Sequence, residues 1–72
     1  MVSPARLLAA LDAPHTTTEL AALLGVTAGG VSQHLSALTA AGVVSRSREG
    51  RAVLYGRTEL GDALVARQIA NT

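Results

Sequence analysis

The sequence contains no cysteine, no phenylalanine, no tryptophan and no lysine. Each absence removes a class of function. Without cysteine there is no disulfide and no thiolate metal site. The one aromatic residue, Tyr55, is too few to stack on successive unpaired bases, as single-strand binders do. No apolar run approaches the roughly 20 residues that span a bilayer. Met1 to Leu11 lacks the order of a signal peptide, because Pro4 and Arg6 interrupt it and Asp12 closes it. Charge is sparse as well: six basic and five acidic residues leave a net +1, which alone argues for no polyanionic partner. No nucleophile–base pair, paired carboxylates or flanked phosphate loop occurs. His15 and His34 lack the spacing of a zinc site. The chain is therefore read as no enzyme, with no metal and no cofactor.

What is present is a chain of 72 residues, 49% apolar, in which Ala, Leu and Val supply almost all of the apolar side chains. This is one domain, residues 1–72. A domain this small buries only about 60% of its unfolded surface, so a partner subunit or a neighbouring domain is expected to contribute. Small aliphatic side chains suit closely packed short helices. Every basic residue is arginine, and Arg46, Arg48, Arg51 and Arg57 crowd one segment with only Glu49 among them. A local arginine cluster on a near-neutral domain is a directed electrostatic footprint.

The segment Thr16 to Ala41 organises the rest. Thr16 and Glu19 have capping-box spacing, in which the hydroxyl accepts from the backbone near Glu19 and the carboxylate reaches back. Leu20, Leu23 and Leu24 follow at i, i+3 and i+4, one face of a helix over about 17–24. Gly25 is placed to end it in the left-handed conformation. Thr27 caps a second helix, about 28–41, with Val31, Leu35 and Leu38 inward. Its opposite face carries Gly29, Gln33, Ser36 and Ala40, flanked by Ser32. Helix, tight turn and helix make a helix-turn-helix.

Upstream, Ser3 and Pro4 start a short helix with Leu7, Leu8 and Leu11 as its stripe, stopped at or before Ala13 by Pro14. Downstream, Gly42 ends the helix of residues 28–41. Val43 to Arg48 and Ala52 to Arg57 read as two strands, with Glu49-Gly50-Arg51 as the turn. Arg46 and Arg48 project from one face. Tyr55 reads as core or strand packing. Thr58 caps a last helix, Glu59 to about Ile69, with Leu60 and Leu64 inward. Val65 and Ile69 form a second stripe, either a dimer seam or simply exposed. Asn71 and Thr72 are expected to be loose. The fold class is α+β, mainly α: three helices, a two-stranded hairpin and a C-terminal helix.

The order and spacing of Glu19-Leu20-Ala21, Val31-Ser32-Gln33-His34-Leu35 with Leu38, Ala41-Gly42-Val43-Val44 and the Gly50-Arg51…Tyr55 hairpin resemble the winged helix-turn-helix domain of ArsR-type bacterial transcriptional regulators. The resemblance runs from about Leu7 to Leu64. It implies sequence-specific binding of double-stranded DNA in the cytoplasm, at the nucleoid, by a homodimer. Its N-terminal helix is shorter than the family's, as in a trimmed chain or a domain from a larger one. The helix of residues 28–41 would enter the major groove, and the hairpin would contact backbone or minor groove. The residues expected to touch DNA are Thr16, Thr17, Thr27, Gly29, Gly30, Ser32, Gln33, Ser36, Arg46, Arg48 and Arg51. Gln33 is the base reader, its amide matching adenine. The threonines either contact phosphate or only cap. Arginines on edge strands can serve only to block aggregation, but four beside such a helix favour phosphate contact. Gly29-Gly30 departs from the family's small hydroxyl residues, which keeps a second reading open: a winged helix that binds protein instead of DNA. His34, at the edge of the inner stripe, reads as a half-buried structural residue. No sensing site of the family carries over.

Overall fold

A computed structural model describes residues 2–70, and for residues 68–70 the backbone alone. The expectations for Asn71, Thr72 and the Ile69 side chain lie outside the described residues. The elements run α1 (Pro4–Ala10), α2 (Thr17–Leu24), α3 (Ala28–Ala40), β1 (Val44–Glu49), β2 (Ala52–Arg57) and α4 (Glu59–Ala70). This is the α+β winged arrangement expected from the sequence.

Side-chain caps start all four helices. Ser3 Oγ accepts from Arg6 N at 3.1 Å. The capping box of α2 is closed in both directions, with Glu19 N–H donating to Thr16 Oγ1 at 3.1 Å and Thr16 N–H to Glu19 Oε1 at 2.8 Å. Thr27 Oγ1 accepts from Gly30 N at 3.2 Å, and Thr58 Oγ1 from Gly61 N at 3.2 Å. Each cap satisfies a backbone donor that the first turn leaves without a partner. Gly25 sits at φ +67° and ends α2. The amides of Gly42 and Val43 bond back to Thr39 O and Leu38 O, so α3 closes in a Schellman motif and the chain turns straight into β1.

The core is a cluster of Val2, Leu7, Leu8, Leu11, Leu20, Val31, Leu35, Val43 and Val44. Leu7, Leu20, Val31 and Leu35 are completely buried, so α1, α2 and α3 each contribute a face. Leu38, Tyr55 and Val65 pack around the edge. Two expected faces differ. Leu23 is 62% exposed, because the inner side of α2 is centred on Leu20, Ala21 and Leu24; Leu23 lies about 100° of helical rotation from that centre.

In α4 the inward residue among those described is Val65 and not Leu60 or Leu64. Leu60 and Leu64, expected inward, are 54% and 39% exposed, while Val65 packs on the core. The reason is Gly61. It is buried, and a Cβ there would stand only 2.1 Å from Val43 O. The helix therefore seats its bare backbone at Gly61 against the start of β1, and the residue one turn on, Val65, faces in with it. Thr58 ties this junction, its N–H donating to Val43 O at 3.2 Å and its hydroxyl to Gly42 O at 2.7 Å.

β1 and β2 are antiparallel and pair from Val44↔Arg57 to Glu49↔Ala52. Glu49 thus belongs to the strand, and the turn is the two residues Gly50-Arg51. Gly50 has φ +61°; positive φ at the first loop position is the glycine-dependent hairpin class that matches strand twist. Val43, expected in the strand, precedes it as a core residue. A third row is added by His15, whose backbone bridges Tyr55.

Candidate functional site

The outer face of α3 carries Ser32, Gln33 and Ser36, all exposed, because Val31 and Leu35 claim the opposite face for the core. Gly29 is exposed and Gly30 half-buried at the first turn; nothing lies within 4 Å of where a Cβ of Gly29 would be. Thr27 is exposed as the cap of α3. Thr16 and Thr17, half-buried, open α2, and Thr16 directly follows the residue paired with Tyr55. His34 is half-buried, as its edge position implies.

Arg46, Arg48 and Arg51 are exposed on the hairpin. Alternation settles their direction. Val44, Arg46 and Arg48 share one face of β1, and Val44 at its base is buried in the core. The same face, continued past the core, therefore carries Arg46 and Arg48 out on the side where α3 lies. Two surface concavities mark this side. One, about 330 Å³, is lined by Arg46, Ser47, Arg48 and Val53. The other, about 300 Å³, is lined by Ser36, Thr39 and Ala40 of α3 and by Arg46 and Tyr55 of the wing. Ser36 on the polar side of α3 and Arg46 of the hairpin thus border a common crevice, and Arg48 lines the neighbouring concavity that also includes Arg46. Gln33 lies about 4.5 Å along the helix axis from Ser36.

Arg57 does not join them. Its side chain is 15% exposed, and Nε lies 3.1 Å from Asp62 Oδ1. That Nε makes no hydrogen bond, so the contact is a charge pair holding β2 to α4. The arginine cluster available to a partner is three residues, not four. Conversely, sequence reasoning passed over Thr39 and gave Tyr55 only a packing role. Tyr55 could have been found by register, since a two-residue turn at Gly50-Arg51 sets it opposite Arg46.

Glu19, in the capping box of α2, has a displaced titration. Its carboxyl is held below the ordinary carboxylate range, chiefly by the hydrogen bond from the Thr16 backbone N–H and further by His15, whose Nδ1 is 3.6 Å from Oε1. The effect belongs to the cap and not to the crevice.

The likeness to solved structures covers nearly the whole chain. A variant of ZitR from Lactococcus lactis superposes with a TM-score of 0.86 at 22% identity, over 93% of this chain and 49% of that one. A MarR variant from E. coli complexed with operator DNA gives 0.83 at 28%, over 89% and 49%. RV1404 from Mycobacterium tuberculosis gives 0.83 at 27%, over 99% and 52%. The chain spans about half the length of these proteins. None of the curated proteins matches the sequence. The model of a family described as a helix-turn-helix domain matches residues 3–46, which hold α1, α2, α3 and the first arginine of the wing, and the chain belongs to that family.

Proposed function

We propose that the domain binds double-stranded DNA and regulates transcription, with α3 in the major groove and the wing on the adjoining backbone or minor groove. The observation that carries this reading is the shared crevice: Ser36 of α3 and Arg46 of the wing line one concavity, so one duplex can meet both. The MarR variant at 28% identity, solved with operator DNA, supports the same partner. In this reading Arg46, Arg48 and Arg51 hold phosphates, with Thr16, Thr17, Thr27 and the backbone of Gly29 and Gly30 as further backbone contacts. Gln33, flanked by Ser32 and Ser36, reads bases.

The finer assignment to an ArsR-type bacterial regulator, acting at the nucleoid, rests on the motif order from Glu19 to Tyr55. We propose that the domain works as a homodimer or beside a neighbouring domain. Leu60 and Leu64, exposed on α4, are apolar surface that such an arrangement would cover. No chemistry of bond breaking enters this role.

The test is a titration against mixed-sequence duplex at two salt concentrations. Three phosphate-bound arginines give a log–log salt slope near −3. Replacing Arg48 and Arg51 by alanine should weaken binding to all sequences alike, whereas Gln33→Ala should mainly relax base preference. Absence of duplex binding at low salt would instead favour a protein-binding winged helix.

A further inference from the structure

We infer that the crevice between α3 and the wing is a saddle for the sugar-phosphate strand separating the two grooves, and that the Tyr55 hydroxyl donates to a phosphate there beside Arg46. The inference rests on the duplex-binding reading and adds a residue and a contact that the reading does not require.

The placement follows from backbone pairing. Tyr55 N–H donates to His15 O at 2.8 Å, and His15 N–H donates to Tyr55 O at 3.0 Å. Both backbone groups of Tyr55 are thus used on the His15 side. Its register partner on the other side is Arg46, and that pair must be of the non-hydrogen-bonded kind. In such pairs the Cα atoms approach to about 4.5 Å and the side chains are closest. Arg46 and Tyr55 therefore stand together on one face of the hairpin.

The two ends of the tyrosine then divide. The residue packs against the core and also lines the crevice. An amphipathic ring with its body on apolar side chains leaves its hydroxyl for the wet side. No internal hydrogen bond among the described residues uses that hydroxyl. Thr39, across the crevice, has its proton committed to Leu35 O at 2.7 Å, so it shapes the wall without donating. Ala40 adds only a methyl group. The donors facing the space are the Arg46 guanidinium, the Tyr55 phenol and the Ser36 hydroxyl.

Duplex geometry supplies the occupant. A helix in the major groove and a hairpin at the adjoining minor groove straddle the backbone that divides those grooves. The space between them must lie over that backbone. A neutral donor on a phosphate raises affinity for every sequence but releases no counterion, so affinity and salt dependence separate.

The experiment uses the full chain and a mixed-sequence duplex, read by anisotropy of the labelled DNA at several salt concentrations. Tyr55→Phe keeps the ring on the core. It should weaken binding about tenfold, as expected for a hydrogen bond to a charged group, with an unchanged salt slope. Arg46→Gln should reduce the slope by about 0.9. Because the two grip one phosphate, the double variant should lose less than the product of the single losses. Tyr55, as the one aromatic residue, also reports directly: its emission should change on saturation with duplex. Duplex binding by Tyr55→Phe within twofold of the parent, fully multiplicative losses, or unchanged emission would each overturn the inference while leaving the DNA reading intact. If the parent binds no duplex at low salt, the DNA reading fails and takes the saddle with it.

Discussion

Gly61→Ala and Gly29→Ala make the same chemical change in two helices and should have opposite signs. In a helix interior, alanine is favoured over glycine by about 1 kcal/mol. At Gly29 the added methyl meets nothing within 4 Å, so only that preference acts. The gain there is about 0.5–1 kcal/mol, at the lower end because the site is in the first turn. At Gly61 the Cβ would stand 2.1 Å from Val43 O, 3.1 Å from Val43 C and 3.3 Å from Arg57 Cβ. The first two are backbone atoms and no rotamer change relieves them. To reach van der Waals distance α4 must retreat by about 1 Å in an interior packed like a crystal. The retreat pulls on Thr58, whose amide and hydroxyl bond Val43 O and Gly42 O, and it lifts Val65 from the core. Overpacking of this kind costs about 1–3 kcal/mol. With about 0.5 kcal/mol of helix preference set against it, again in the first turn, Gly61→Ala should destabilise by about 0.5–2.5 kcal/mol, and a domain of this size then melts roughly 2–20 °C lower. Thermal unfolding followed by circular dichroism measures both variants. A Gly61→Ala protein that melts at or above the parent would refute the seating of α4 on Val43.

Three further outcomes follow from the packing and the charges. Leu20→Ala should cost about 2–5 kcal/mol as a fully buried leucine, while Leu23→Ser should stay within about 0.5 kcal/mol; comparable losses in denaturant melts would contradict the orientation of α2. The carboxyl of Glu19 titrates below its unfolded value, so its contribution is present above the ordinary carboxylate range and is lost as pH falls through the lower folded value. Glu19→Gln, which can keep the capping box, should therefore show a flatter decline in melting temperature on acidification; an identical decline would remove the linkage. Arg57→Gln should leave the salt slope of duplex binding unchanged, because that side chain is committed to Asp62, whereas Arg48→Gln should lower it by about 0.9; equal changes would return Arg57 to the interface.

Local chemistry made most of the fold legible. Ser3, Thr16, Thr27 and Thr58 are short-range caps, and the amides that donate to them lie three positions on. Such contacts are written in consecutive residues. The faces of α2 and α4 were less legible, since Leu23, Leu60 and Leu64 satisfy helical periodicity as well as their neighbours do. What decides between two adjacent stripes is a long-range fit: the bare backbone of Gly61 on Val43, 18 residues away in sequence. That Arg57 stands apart from the other clustered arginines is illegible for the same reason, because Asp62 meets it only once α4 has docked. Within the candidate site, the outer face of α3 and the common side of Arg46 and Arg48 follow from periodicity. That Tyr55 stands beside Arg46 and borders Ser36 required the register and the docking of the hairpin on α3.

One duplex should meet both the outer face of α3 and the wing arginines. Backbone amide chemical shifts, followed by NMR as mixed-sequence duplex is added, test it residue by residue. Concerted shifts are expected at Ser32, Gln33 and Ser36 and at Arg46, Arg48 and Arg51, with Leu60 and Leu64 of α4 undisturbed. Shifts confined to one of the two surfaces, or centred on α4, would contradict it.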